Sequence, residues 1–328
     1  MNFGNFAGNE KLKARLSKMA DTGNVPQAII FEGKRGLGKR TLALRFANAL
    51  LCENPDDKPC GICRACIKMS DGAHPDVVVI DGRDSKNISV DEMRNVRSDA
   101  FVKPNEGKYK IYVILDADEM RAEAQNAVLK ILEEPPSYCV FIMTCENRSG
   151  FLPTVLSRAV TLELFPLSFD EAFNAVSDAL PNENAESIKK AVTVFSGNVG
   201  EAISSLSNGG FSKLYDVAAD IMGAVCAPNE MELLQKSAVF ENDKELFKNC
   251  ISLMELIVRD VCVQRSGSSN FISGIDKNNF GSWYSLTERQ LLQIKSELDA
   301  IRVSLGRSPN HTLLITRFCA RLRQAAGR

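Results

Sequence analysis

Gly33-Lys34-Arg35-Gly36-Leu37-Gly38-Lys39-Arg40-Thr41 is the stretch on which the reading of the first half of the chain turns. Gly33, Gly38 and Lys39 satisfy G-x-x-x-x-G-K, the pattern of a loop whose backbone N–H groups and lysine cradle phosphates. The position after the lysine, where a Ser or Thr hydroxyl holds Mg²⁺, is Arg40. A guanidinium donates hydrogen bonds and accepts none, so it cannot ligate a cation. Thr41 stands one residue late, which on a helix turns its hydroxyl by about 100° from the metal position. The loop is thus suited to hold ATP or ADP and poorly equipped to split it. The alternative is a glycine-rich turn (Gly33, Gly36, Gly38) kept only for fold geometry.

The flanking residues give such a loop its context. Ala28–Phe31 is a short apolar run, and Leu42, Phe46, Ala49 and Leu50 space the residues to Leu51 as a helix. Asp76–Asp81 is continuous enough in apolar content to predict a second strand buried on both faces. Ser89 and Glu92 form a capping box that opens a helix with Val90, Met93 and Val96. A third strand, Ile111–Leu115, precedes a helix from about Arg121 to Glu134, which Pro135-Pro136 stops. Tyr138–Thr144 and Ala159–Leu164 complete five strands. Strands alternating with helices predict a doubly wound parallel sheet, an α/β domain spanning residues 1–166.

After Pro166 the strand pattern ends. Short helices are expected around Phe169, Ala172, Phe173 and Val176, then Ile188, Ala191, Val194 and Phe195, in a small helical domain at 167–208. Asn208-Gly209-Gly210 marks a boundary. An all-α domain follows at 209–328, with apolar stripes at Leu246, Cys250, Leu253, Ile257 and Val261, and at Leu291, Ile294, Leu298 and Ile301. Ser308-Pro309 predicts the start of a last helix. Residues 265–282, rich in Gly, Ser and Asn, read as a loop or link of unassigned role.

The 328 residues suffice for two or three cores, and the charge of −1 excludes nucleic-acid or membrane binding driven by net charge. The segment with Glu10, Lys11, Lys13 and Arg15 lacks the apolar core of a signal peptide, and no spanning run follows; the expectation is a cytoplasmic protein without membrane contact. Four of the ten cysteines cluster. Cys60-x-x-Cys63-x-x-Cys66, with Cys52 upstream, supplies the four soft ligands of a closed structural Zn²⁺ site. A redox CxxC pair or four unrelated thiols are the competing readings. Cys139, Cys145, Cys226, Cys250, Cys262 and Cys319 read as core residues.

Two further positions bear on hydrolysis. An active site of this kind wants adjacent Asp-Glu at the end of the third strand. Leu115-Asp116-Ala117-Asp118-Glu119 gives Asp116 no acidic neighbour; Asp118-Glu119 lie past the strand and open the next segment, the competing reading of all three acids being a solvated turn. Ser157-Arg158, between the fourth and fifth strands, falls on the loop side of such a sheet. Its guanidinium suits the charge of a transferring phosphoryl group in a neighbouring subunit; taken alone it is a surface arginine.

The GKRGLGKRT loop, the Cys52/Cys60/Cys63/Cys66 module, Asn126-Ala127-Val128-Leu129-Lys130 with Leu132-Glu133-Glu134-Pro135-Pro136, and Leu156-Ser157-Arg158 together resemble the clamp-loader branch of the AAA+ proteins. Within it, the match is to the delta-prime family of bacterial DNA polymerase III subunits, over roughly residues 3–205. The resemblance implies an AAA+ domain with a zinc-module insertion (52–66), a helical lid and a helical collar. It implies a hetero-pentameric ring with motor subunits and a clamp-opening delta-type subunit, which loads the sliding clamp onto primed DNA in replication. It also implies that Arg158 serves as an arginine finger in trans while the chain has no ATPase activity of its own. Two departures stand out. The family's Ser-Arg-Cys is Ser157-Arg158-Ala159, and the lid arginine that senses nucleotide in motor subunits is replaced by Gly200. An active AAA+ motor and a zinc-containing DNA-binding adaptor are the alternative readings.

Overall fold

Five apolar segments pair into one all-parallel sheet in the computed structural model, which describes residues 1–82, 88–265, 273, 283–305 and 310–328. The chain divides into two compact units, Met1–Leu167 and Ser168–Arg328. The first runs α1 (Glu10–Thr22), β1 (Ala28–Glu32), α2 (Lys39–Leu51), α3 (Arg64–Ser70), β2 (Val77–Asp81), α4 (Val90–Asp99), β3 (Lys110–Leu115), α5 (Ala122–Glu133), β4 (Cys139–Cys145), α6 (Pro153–Leu156) and β5 (Val160–Glu163). Strand order is β2-β3-β4-β1-β5.

Side chains alternate across the sheet and split the core in two. On one face Ile29, Phe31, Ile111, Val113 and Ile142 pack against Leu16 of α1 and Leu42, Phe46 and Leu50 of α2. On the other, Ile30, Tyr112, Ile114, Phe141 and Met143 meet Met93 and Val96 of α4 and Val128 and Ile131 of α5. The Tyr112 and Phe141 rings stack at 5.1 Å. Each such fully buried side chain contributes about 1.5–3 kcal/mol relative to exposure. The doubly wound sheet expected from sequence is therefore present. One strand differs: β2 is the sheet's edge, and Val79 is 44% exposed rather than buried on both faces. An apolar run specifies a strand without saying whether neighbours cover it.

Local signals hold at residue level. Ser89 accepts from the Glu92 N–H at 3.1 Å while the Glu92 carboxylate receives the Ser89 N–H at 2.7 Å, the expected capping box. The segment with Glu10, Lys11, Lys13 and Arg15 forms α1, whose Leu12, Leu16, Met19 and Ala20 are buried.

The second unit is helical among its described residues: α7 (Phe169–Ala179), α8 (Ala185–Val194), α9 (Val199–Ser207), α10 (Gly210–Cys226), α11 (Glu230–Ser237), α12 (Lys244–Arg265), α13 (Glu288–Leu305) and α14 (His311–Ala325). Both stripes named above are buried. Phe240, Phe247 and Phe318 close one cluster with rings 4.7–6.2 Å apart, and the buried Trp283 donates Nε1–H to the Met222 carbonyl at 2.7 Å. Asn208-Gly209 separates α9 from α10, with Gly209 at φ 65°. The last helix is capped by Asn310, whose side chain accepts from the Leu313 N–H at 3.2 Å. Ser308-Pro309 and nearly all of 266–282 lie outside the described residues.

Candidate functional site

A parallel sheet gathers the C-terminal ends of its strands at one edge, and the glycine loop leaves β1 there. Gly36 and Gly38 adopt φ 85° and 83°, a conformation that a side chain disfavours. At Gly38 a Cβ would also meet the Phe6 ring at 2.9 Å. Lys39, the first residue of α2, is buried, and its ammonium donates to the carbonyls of Gly33 at 2.5 Å and Lys34 at 3.1 Å. Burial lowers its pKa from the usual lysine value, against the opposing pull of Glu146 and Asp116. The lysine thus curls back onto the loop that it would support around a phosphate.

Arg40 faces outward from the first turn of α2, and its guanidinium pairs with the carboxylate of Asp81 at the end of β2. Thr41 is exposed one residue further on. Asp116, just past β3, sits in the left-handed region at φ 50°, and its N–H donates to Thr144 Oγ1 at 2.9 Å. Asp118 and Glu119 lie in a short 3-10 turn ahead of α5, as expected, and Asp118 is more than solvated: Oδ2 receives the N–H groups of Glu146 at 2.9 Å and Asn147 at 3.3 Å, fastening the turn after β4. Beside it, Arg148 donates its backbone N–H to Glu32 Oε1 at 3.0 Å and places Nε 3.0 Å from Oε2.

Arg158 lies at the other edge. Val160 pairs with Ile29 and Glu163 with Glu32, so the glycine loop follows the end of β1 while Arg158 precedes the start of β5. At about 3.3 Å per residue the two are roughly 20 Å apart along the strands. The placement on the loop side is corrected: a parallel sheet returns the chain to its starting edge before each new strand. There Arg158 Nη1 donates to the Thr154 carbonyl at 2.8 Å and Ser157 Oγ at 3.1 Å, and Nη2 is 2.8 Å from Glu133 Oε1 at the end of α5. Thr154, Ser157 and Glu133 thus hold the guanidinium, which stays part-exposed.

The cysteine cluster follows α2. All four sulfurs of Cys52, Cys60, Cys63 and Cys66 lie within 4.8 Å of one another, with Cys52–Cys63 at 4.0 Å and Cys60–Cys66 at 3.9 Å. A tetrahedron of sulfurs 2.3 Å from one ion has edges of about 3.8 Å, so the four thiols fit a shared metal. Gly61 makes the turn between them at φ 78°. The N–H groups of Ile62 and Cys63 lower the Cys60 thiol to about 7, while burial raises Cys66 to about 12.

Sequence reasoning missed two acidic residues. Asp81 was read as strand, though its place at the end of β2 on the loop edge is a signal. Asp76 is fully buried just before β2. Its carboxylate receives the N–H groups of Asn105, of Glu106 at 2.8 Å and of Gly107 at 2.7 Å. Burial drives that carboxyl up, but the three N–H groups outweigh it and hold it below the usual range.

The strand order, the glycine loop and the helices on both faces define a P-loop domain of the AAA+ kind. Residues 8–168 match the family described as DNA polymerase III, delta subunit. The chain is 33% identical over 157 residues to the DNA polymerase III subunit gamma/tau of Mycobacterium tuberculosis, covering 48% of this chain and 27% of that protein. It is 30% identical over 221 residues to the DNA polymerase III subunit delta' of Bacillus subtilis, covering 63% and 65%. Among solved structures, a DNA polymerase III gamma subunit-related protein from Thermotoga maritima aligns over 95% of this chain and 99% of that one, at 17% identity and TM-score 0.42. The chain thus spans about a quarter of the gamma/tau relatives it matches, at 27%. Residues 8–168, nearly all of the first unit, match a family of DNA polymerase III subunits.

Proposed function

We propose that the chain is a clamp-loader subunit of delta-prime type in bacterial DNA replication, working by assembly and without hydrolysing ATP itself. The observation that carries this reading is Arg40, a cation paired to Asp81 where a hydroxyl should ligate metal. Asp116 with no acidic neighbour and Gly200 in the first turn of α9 support it. Residues 167–208 serve as lid and 209–328 as collar, joining motor and delta-type subunits in a pentameric ring that places the sliding clamp on primed DNA. Arg158, presented at the edge away from the chain's own loop, acts on the ATP of the adjacent motor subunit. In the reconstituted assembly Arg158→Ala should depress ATP turnover and clamp loading while the ring still forms. Unchanged turnover would remove the finger assignment.

The four clustered thiols hold one structural Zn²⁺, consistent with a closed sulfur-only donor set. Metal analysis of the purified chain should find one zinc ion per chain, absent in Cys63→Ser. The gamma/tau relatives favour a second reading, an active motor. Substantial ATP turnover by the isolated chain would establish that reading instead.

A further inference from the structure

We propose that the glycine loop takes a polyphosphate anion of the nucleoside di- or triphosphate class without a divalent cation, Arg40 standing as the positive charge at the metal's position. The inference rests on the non-hydrolysing reading above and adds to it a statement about the ligand.

Asp116 and Glu146 lie within electrostatic reach of Lys39, but a divalent cation lacks the rest of its ligand set here. The hydroxyl ligand is absent at position 40, and the guanidinium that replaces it would repel the ion rather than hold it. Asp118 already receives two backbone N–H groups, and Asp81 is engaged by Arg40 itself. An anion fits well. Gly33–Thr41 contains Lys34, Arg35, Lys39 and Arg40 and no acidic residue, so four positive charges fall within nine positions. Lys39 Nζ is buried against the loop's own carbonyls, and the first N–H groups of α2 add the helix's positive end. Arg40 is on that first turn with 47% of its side chain exposed, and in binding it would exchange Asp81 for a phosphate. The guanidinium fork suits phosphate oxygens. In loops that hydrolyse, part of the anion's charge is met by a metal that arrives with the nucleotide. Here the chain carries the equivalent charge.

The test is calorimetric titration of the full-length chain with ADP, ATP and pyrophosphate, in EDTA and in excess MgCl₂. The wild type should bind ADP with dissociation constants equal within about twofold in the two buffers. Pyrophosphate should compete, since the phosphates carry the recognition. Arg40→Thr should bind about tenfold more weakly in EDTA and recover when Mg²⁺ is added, and Arg40→Lys should retain the wild-type indifference to metal. The inference is overturned by no binding in either buffer, by wild-type affinity that rises tenfold or more with Mg²⁺, by failure of pyrophosphate to compete, or by an Arg40→Thr chain that matches wild type. Turnover and the Arg158→Ala assembly test report on the non-hydrolysing reading separately, so the two ideas can fail independently.

Discussion

The two edges of the sheet each hold an arginine, with different partners. At the glycine-loop edge, Arg40 is bound to Asp81 within the same chain, and the cation is spent internally. At the other edge, Arg158 is braced from behind by Thr154, Ser157 and Glu133 with a third of its side chain still exposed. Both guanidiniums are thus paired to a carboxylate of their own chain, and Arg40, with 47% of its side chain exposed against 33% for Arg158, is the more open of the two. The supports differ as well. Asp76, before the start of β2, is a fully buried carboxylate with three backbone donors, whereas in the Arg40 pair the arginine is 47% exposed and Asp81 9%.

The largest effect expected is on the assembly's ATP turnover, which the proposed role makes dependent on Arg158. Arg158→Ala should lower it by about 10³-fold, the usual worth of such a group, as measured by ATPase rates of the reconstituted assembly. A fall of only a few fold would erase the contrast between the edges. Next, Asp76→Ala should cost about 3 kcal/mol, because the Asn105, Glu106 and Gly107 N–H groups lose a buried charged acceptor, read from urea unfolding. The pH dependence has a definite sign. With a folded carboxyl below the unfolded value of about 3.9, its stabilisation is present above that value and drains away as pH falls through the folded one. Asp76→Asn should therefore flatten the acid limb of the stability curve; an unchanged limb would contradict the role given to this carboxylate. The smallest effect belongs to Arg40. Arg40→Ala should cost about 1 kcal/mol, since it removes a half-exposed partner from a nearly buried Asp81. Arg40→Thr should leave the isolated chain's ATP turnover at background, since Asp116 has no acidic neighbour and Gly200 has no side chain to sense nucleotide. Strong turnover by that variant would put the whole deficit on one residue.

Much of this arrangement was legible in the sequence because it rests on local rules. The glycine loop, the capping box at Ser89 and the spacing of Cys60, Cys63 and Cys66 each constrain a few neighbouring residues, and each is present. What escaped depends on register between distant segments. Arg158 belongs to the opposite edge because Val160 pairs with Ile29, a fact no window around Arg158 contains. Asp81 meets Arg40 across forty-one positions, and Asp76 meets the Asn105–Gly107 turn across some thirty. Val79 is exposed for the same kind of reason: its sequence is that of a central strand, and only the strand order makes it an edge.

Helix α2 begins at Lys39 in the glycine loop and ends at Leu51, one residue before Cys52. Thirteen residues at 1.5 Å each make a rod of about 20 Å whose two ends carry the two features the chain displays. Sliding the rod along its axis would strain the thiol cluster at one end and part Arg40 from Asp81 at the other. The cysteine insertion is thus a tether on the glycine loop, and the loop's shape is moored from the far side of the domain.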